Sequence, residues 1–364
     1  MKVKSFYSLF GGKDTEPFVS VDVGTSKIKA MVLDMSGEKP KLVSLGIAQT
    51  PASSIQNNAI SNPQKIGQAI RALLDANEIS VDRATIGIPG PAVFTKKATM
   101  SYMTQKELDS NITYEATNYI PHNINAVHLD YQVLSSTNNS SMEVLLVAVK
   151  NEIVEGYSNA LKEAGLVPAI ADVDYFALEN AFQLNYPELV NQTIALVDVG
   201  ARYSSISIMQ GGKSLFAGDV GVGGRLYTDA LCETLGMEAG VAEEAKLGNI
   251  PNGQDESLIR ETIQRTTEHI AAELQRQLGF FWNAASTDRG IESILMCGGA
   301  SRALGLKENL AQRTGLDCQL LDPFRNIDCS GSFDQDYLED LRPSMGISVG
   351  LATRAFGDKP WATK

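Results

Sequence analysis

Two short stretches of the chain place a carboxylate, a glycine and small polar residues in the same arrangement. One is Val21-Asp22-Val23-Gly24-Thr25-Ser26; the other, 176 residues later, is Val197-Asp198-Val199-Gly200, followed by Ala201-Arg202-Tyr203-Ser204. A glycine in a turn lets backbone N–H groups point at an anion, neighbouring hydroxyls add donors, and a carboxylate at a strand end can hold a hydrated cation. Two such units facing each other can clasp a polyphosphate. One alone is equally a tight hairpin with an Asp-capped turn; it is the duplication that favours the chemical reading. Later, Gly298-Gly299-Ala300-Ser301 links the apolar Ile294-Leu295-Met296-Cys297 to a helical pattern over Leu304–Thr314, a geometry suited to an adenosine or α-phosphate contact beside a helix N-terminus. A further glycine cluster, Gly218 to Gly224, precedes a helix expected over Leu226–Leu235, with Gly223 and Gly224 as the phosphate candidates.

The elements that must position these residues follow from apolar periodicity. Phe18 to Val23 is apolar and β-branched, and Ile28, Ala30 and Val32 continue with period two, so the first unit reads as a β-hairpin. Thr193–Val199 and Ser205–Met209 give the second hairpin. A hairpin repeated across two halves predicts a duplicated pair of α/β domains facing each other. The length of 364 residues agrees, at about 100–200 residues per domain. With 43% hydrophobic residues the chain is core-forming, and 31 Lys plus Arg against 43 Asp plus Glu, a formal charge of −12, excludes a nucleic-acid backbone as partner. No apolar run approaches the roughly 20 residues of a membrane-spanning helix, and the opening residues are too short in apolar stretch for a signal peptide. A cytoplasmic protein with reduced thiols is therefore expected. Cys232, Cys297, Cys318 and Cys329 lack CxxC spacing, and His122, His128 and His269 are the only histidines, which argues against zinc.

These elements, in this order, resemble the actin-like ATPase superfamily along nearly the whole chain. Within it, Tyr114-Glu115-Ala116-Thr117-Asn118-Tyr119-Ile120-Pro121, Val127-His128-Leu129-Asp130-Tyr131-Gln132-Val133-Leu134 and Ala171-Asp172-Val173-Asp174-Tyr175-Phe176-Ala177-Leu178-Glu179 resemble the PilM family. Its members are cytoplasmic, actin-like components of the type IV pilus assembly platform. The resemblance implies ATP with Mg²⁺ as cofactors. It gives Asp22 the first phosphate-site carboxylate, with Gly24, Thr25 and Ser26 cradling the β and γ phosphates and Lys29 supplying positive charge. Lys27, on the same strand face, is its rival. It gives Asp198 and Gly200 the second phosphate site, with Ala201, Arg202, Tyr203 and Ser204 as the turn; Arg202 either reaches phosphate or is solvated. Asp22 and Asp198 would hold the metal. Period-two placement puts Asp172 and Asp174 on one face, so either can orient a Mg²⁺-bound water, and Asp172 matches the family position better. Glu243 and Lys246 match the element that holds ribose and adenine, though an i,i+3 ion pair explains the spacing as well.

The expected fold is thus α/β and actin-like: two duplicated domains flank a nucleotide cleft, with an inserted subdomain of the FtsA type. The expected divisions are an N-terminal segment over 1–15, a first subdomain over 16–84 and 168–191, an insertion over 85–167, a second subdomain over 192–225 and 290–364, and a helical subdomain over 226–289. In the last of these, Ile259, Ile263, Ile270, Leu274, Leu278 and Phe281 form a core stripe. Met345 to Ala352 reads as a connecting helix whose small residues allow close packing, and Asp322 to Asp340 as a surface loop. Residues 356–364 are too weakly amphipathic for the membrane-targeting helix of FtsA, and Phe6, Tyr7, Leu9 and Phe10, with Lys2 and Lys4, make at most a marginal lipid contact.

The function implied is a scaffold at the inner face of the cytoplasmic membrane. It binds the N-terminal cytoplasmic peptide of PilN and further platform or motor proteins, with at most slow ATP hydrolysis. A sugar-kinase-like phosphotransferase and an FtsA-like division filament protein are the alternatives.

Overall fold

Val19, Ser20, Val21, Asp22 and Val23 are buried on both faces and form β1 (Val19–Val23), the middle strand of the first sheet. Alternation sends Val19, Val21 and Val23 into one core and turns Ser20 and Asp22 to the other side. The computed structural model describes residues 18–137, 140–284, 290–331 and 333–354. The expected N-terminal segment, the turn at Asn138-Asn139 and the stretch 356–364 lie outside the described residues.

From β1 the chain turns back into β2 (Lys27–Asp34) and β3 (Lys41–Gln49). A small hairpin of β4 (Ile55–Gln56) and β5 (Ala59–Ile60) leads to α1 (Pro63–Ala76). The Asn62 side chain caps α1, accepting from the Lys65 N–H at 3.0 Å, and Pro63 suits the first helical position. Next come β6 (Arg83–Ile88), then β7 (Val93–Ser101), α2 (Gln105–Ala116), β8 (Val127–Thr137), β9 (Ser141–Lys150), α3 (Asn151–Glu163), β10 (Val167–Val173) and α4 (Asp174–Asn185). The first sheet has the order β3-β2-β1-β6-β10, with β1, β6 and β10 parallel and β2 and β3 antiparallel. The expected inserted module contracts accordingly: β6 lies in the first sheet, and α3 packs its Ile153, Tyr157 and Leu161 into that domain's core. What remains of it is the three-stranded sheet β7-β9-β8 with α2 packed on it.

The second half repeats the plan. β11 (Ile194–Val199), β12 (Ser204–Gln210) and β13 (Lys213–Val220) are followed by α5 (Arg225–Leu235), α6 (Ala239–Ala245) and the 29-residue α7 (Glu256–Ala284), then β14 (Ser293–Cys297), α8 (Leu306–Thr314) and β15 (Asp317–Leu320). The sheet order β13-β12-β11-β14-β15 matches the first sheet strand for strand, including which neighbours are parallel. Ile259, Ile263, Ile270, Leu274 and Leu278 are buried as the stripe predicts, in one core shared with the second sheet. The Phe281 side chain lies outside the described residues.

The stretch expected as a surface loop, Asp322 to Asp340, is different. Phe324, Ile327 and Leu338 are buried against Met31, Leu33 and Leu42, and the Leu42 N–H donates to the Asp328 carbonyl at 2.9 Å beside β3. The segment includes most of α9 (Gln335–Leu341) and is a cover on the first sheet. Its polar composition hides three widely spaced apolar anchors, each contributing about 1.5–3 kcal/mol on burial. α10 (Gly346–Ala352) completes the cover.

The two halves exchange helices: α4 leaves the first sheet and packs Leu178 and Phe182 on the second, whereas α10 packs Val349 and Ala352, with Met345 just before it, toward the first. They cross at Gly350, where a Cβ would fall 1.6 Å from the Ala177 carbonyl oxygen. The small residues expected to permit close packing here are required by it.

Candidate functional site

Because β1 and β11 occupy equivalent middle positions, their carboxylates emerge at equivalent strand ends, on the side of the sheets where α4 and α10 cross. Asp22 is buried and accepts from Lys29 Nζ at 2.9 Å, with Ser348 of α10 donating at 3.4 Å. Register pairs Asp22 with Lys29 across the hairpin, which decides between the two lysines; Lys27 stands exposed at the end of the turn. Burial pulls the Lys29 ammonium down, but Asp22, Asp198 and Asp174 outweigh it and hold the group above its ordinary value.

In the first turn the Gly24 N–H closes on the Lys27 carbonyl at 3.0 Å, and Thr50 braces the bend from below, its hydroxyl donating to the Gly24 carbonyl at 2.6 Å. Thr25 is half-buried and Ser26 exposed. In the second turn the Gly200 N–H closes on the Tyr203 carbonyl at 3.1 Å, leaving Ala201 half-buried and Arg202 exposed to solvent. Ser204 is placed differently from expectation: it begins β12, buried, and its hydroxyl donates to the Val222 carbonyl at 2.8 Å.

Among the described residues no lysine stands at bonding distance from Asp198. Its neighbour is the Cys297 thiol, which donates at 3.6 Å, and burial first, then Asp22, push the Asp198 carboxyl up to about 6 against the field of Lys29. Asp172 departs from expectation. Its carboxylate pairs with Arg354 at 2.8 Å and accepts from the Val173 N–H. Asp174 instead stands with Asp22 and Asp198, because the strand ends at Val173 and Asp174 opens α4, so alternation does not run through both. Burial, then Asp22 and Asp198, raise the Asp174 carboxyl well above its usual range, and the Tyr203 hydroxyl donates to it at 3.3 Å.

Asp219 of β13 is a fourth acid, pushed up to about 6 by burial and by Asp198, with the Ser205 hydroxyl donating to it at 2.6 Å. The sequence offered it only as part of a glycine cluster. Two glycines make room for these acids: a Cβ on Gly87 would sit 2.4 Å from Asp174 Oδ1, and one on Gly90 2.7 Å from Asp219 Oδ1.

The remaining candidates gather around the second hairpin. A Cβ on Gly223 would meet the Gly200 and Ala201 carbonyls at 2.7 Å, and the Gly224 and Arg225 N–H groups donate to those same carbonyls at 2.9 and 2.8 Å. The start of α5 therefore holds the second turn in shape, and these N–H groups are spent on it. Gly298, at φ +90°, packs against Val199 and Asp198, and Gly299 beside it is exposed with open space around it. The Ala300 N–H donates to Val199 and the Ser301 hydroxyl to the Gly298 carbonyl, both within the loop's own architecture. α8 starts only at Leu306, after Gly305 at φ 76°, so its N-terminus does not adjoin the paired glycines. Glu243 and Lys246 share a face of α6 and pair at 2.6 Å, with Lys246 buried and its ammonium near Gly224.

Asp22, Asp174, Asp198 and Asp219 thus converge with Lys29, and three of the four are raised by burial and mutual repulsion. That donor set fits a cation that neutralises it. Among the described residues no three His, Cys, Asp or Glu side chains form a ready cluster of direct ligands. The exposed Ser26, the open edge at Gly299 and the two hairpin turns fit an anion on the other side of that cation.

Comparison with known proteins agrees with this geometry. The family model of the type IV pilus assembly protein PilM matches residues 20–356. A solved structure described as the PilM-PilN type IV pilus biogenesis complex aligns with a TM-score of 0.81 at 25% identity, covering 92% of this chain and 97% of that one. The ethanolamine utilization protein EutJ from Carboxydothermus hydrogenoformans aligns at 0.56 and 15% identity, covering 92% and 89%. The duplicated sheets and exchanged helices form the actin-like ATPase fold.

Proposed function

The chain belongs to the PilM family of type IV pilus assembly proteins, and from that premise we propose that it is an ATP-binding scaffold of the pilus inner-membrane platform. The observation that carries the nucleotide half of this reading is the convergence of Asp22, Asp174, Asp198 and Asp219 around Lys29 between the two hairpins. Mg²⁺ supplies the charge that draws a triphosphate into an acidic cleft. The chain's own parts do the rest: the turns at Thr25-Ser26 and Ala201-Arg202 present donors, Lys29 adds the fixed positive charge, and Glu243, Lys246 and Gly299 border the place for ribose and base. Asp172 is engaged by Arg354, and Asp174 faces the reacting phosphate. The Tyr203 hydroxyl, donating to its carboxylate, orients Asp174, and hydrolysis is slow at most.

The partner half rests on the aligned PilM-PilN complex. PilN, through its N-terminal cytoplasmic peptide, is the proposed partner, bound at the inserted module in extended form. No helix of the described residues is long and apolar enough to cross a membrane, so attachment to the inner face of the membrane would run through partners. Calorimetric titration of ATP·Mg²⁺ into the wild type and Asp22→Ala tests the cleft, with weaker binding by at least about tenfold expected of the variant, the order of a lost charged contact. Equal affinities refute the site. Titration of a PilN N-terminal peptide tests the scaffold, and absence of binding with and without ATP removes it.

A further inference from the structure

β13 is the outer strand of the second sheet, and its two ends meet different parts of the first half. Near one end, Asp219 lies in the cleft, packed against Gly90 at the entry to the inserted module. Near the other end, Lys97 of β7 reaches across and donates to the Ser214 and Leu215 carbonyls at 2.9 and 3.2 Å. A lysine on an outer strand's carbonyls is a usual way of closing an open sheet edge; here it comes from another domain. Beneath this contact runs α4, whose Tyr175 and Glu179 are one turn apart on the same face. Tyr175 packs against Gly90, where a Cβ would sit 3.0 Å from its Cδ1, and the buried Glu179 carboxyl accepts from Ser207 of β12. Module, connecting helix and second sheet therefore meet along one line that begins at a cleft carboxylate.

We propose that β13 is a link between the cleft and the inserted module, and that Lys97 is the residue through which nucleotide occupancy changes the module's mobility. The inference rests on reading the cleft as an ATP·Mg²⁺ site. A cation arriving between Asp22 and Asp174 of the first half and Asp198 and Asp219 of the second replaces repulsion by attraction, so the second sheet shifts relative to the first half. Because β13 is hydrogen-bonded along β12, it moves with that sheet, and the Lys97 contact carries the displacement into β7. Without that side chain β7 loses its hold on β13, and the contact of Asp219 with Gly90 lies before β7 begins.

The test is hydrogen–deuterium exchange on the full chain with and without saturating ATP·Mg²⁺. In the wild type, exchange slows at the turns over 24–26 and 200–203 and changes over Val93–Ser101, the latter by roughly threefold or more for a coupling of ordinary size. In Lys97→Met the turns respond as before and the β7 response is lost; Lys97→Arg, which keeps a donor, retains it. A β7 response that survives in Lys97→Met, or is absent from the wild type while the turns are protected, overturns the link alone. Unprotected turns overturn the nucleotide reading and the link with it.

Discussion

The two hairpins have the same topology, the same strand position and the same Asp-x-Gly order, yet their carboxylates live in different electrostatic surroundings. Asp22 carries its counter-charge within its own hairpin, Lys29 at 2.9 Å. Asp198 accepts from the Cys297 thiol instead, and burial pushes its carboxyl up to about 6. Duplication of the backbone fixed where each acid stands, and local substitution fixed its charge. The first acid is paired within its own hairpin; the second is raised by burial and by Asp22.

The contrast is most severely tested where both hairpins depend on one contact. Gly350→Ala places a methyl group 1.6 Å from the Ala177 carbonyl oxygen, so the helix crossing must open, with an expected loss of about 3 kcal/mol or more by urea denaturation. Unchanged stability means that the crossing does not set the sites. Next, the two acids should respond oppositely to neutralisation. Asp22→Ala strands a buried ammonium and costs on the order of 3 kcal/mol. Asp198→Asn removes a charge that the fold disfavours. Its folded value lies above the unfolded one, so the stabilising contribution is full below about pH 4 and is lost as pH rises through about 6. At pH 8 the Asn variant is therefore expected to be more stable by about 2 kcal/mol while binding ATP·Mg²⁺ more weakly. If both variants destabilise equally, the asymmetry is wrong.

A smaller effect comes from Glu179, buried on α4 and raised by burial to about 7. The same sign applies: stability from this group is full below about pH 4.5 and drains away as pH passes 7. Glu179→Gln flattens the fall in melting temperature between pH 6 and 8, and a profile as steep as wild type contradicts the shift. The smallest effect separates neighbouring acids. Asp174→Asn should alter ATP·Mg²⁺ affinity, whereas Asp172→Asn, whose carboxylate is engaged by Arg354 at 2.8 Å, should leave it unchanged and act on stability only.

Much of this was legible in the residues. Repetition of Val-Asp-Val-Gly marked both hairpins, alternation located the strands, and the small residues over 345–352 marked the helix crossing. The choice between Asp172 and Asp174 was not legible, because it depends on a strand-to-helix boundary falling between them, and periodicity places boundaries poorly. Arg354, far along the chain, left no local trace of its pairing. Asp219 sat among glycines that drew the eye to phosphate contacts, although the geometry gives Gly223 a packing task. The cover from Phe324 to Leu338 left no such trace, because its anchors are separated by the run over 328–331, rich in turn residues, and too few fall in any one window to set a period.

That cover has a consequence for biosynthesis. One face of the first sheet, with Met31, Leu33 and Leu42, is made early on the ribosome but is roofed by residues from Phe324 to Ala352. Until those emerge, the nascent chain carries a bare apolar wall, and α4 is already made without the second sheet it will lie on. Neither lobe can finish before the other, so the protein matures as one late event, and a chaperone acting during translation would find its binding surface here.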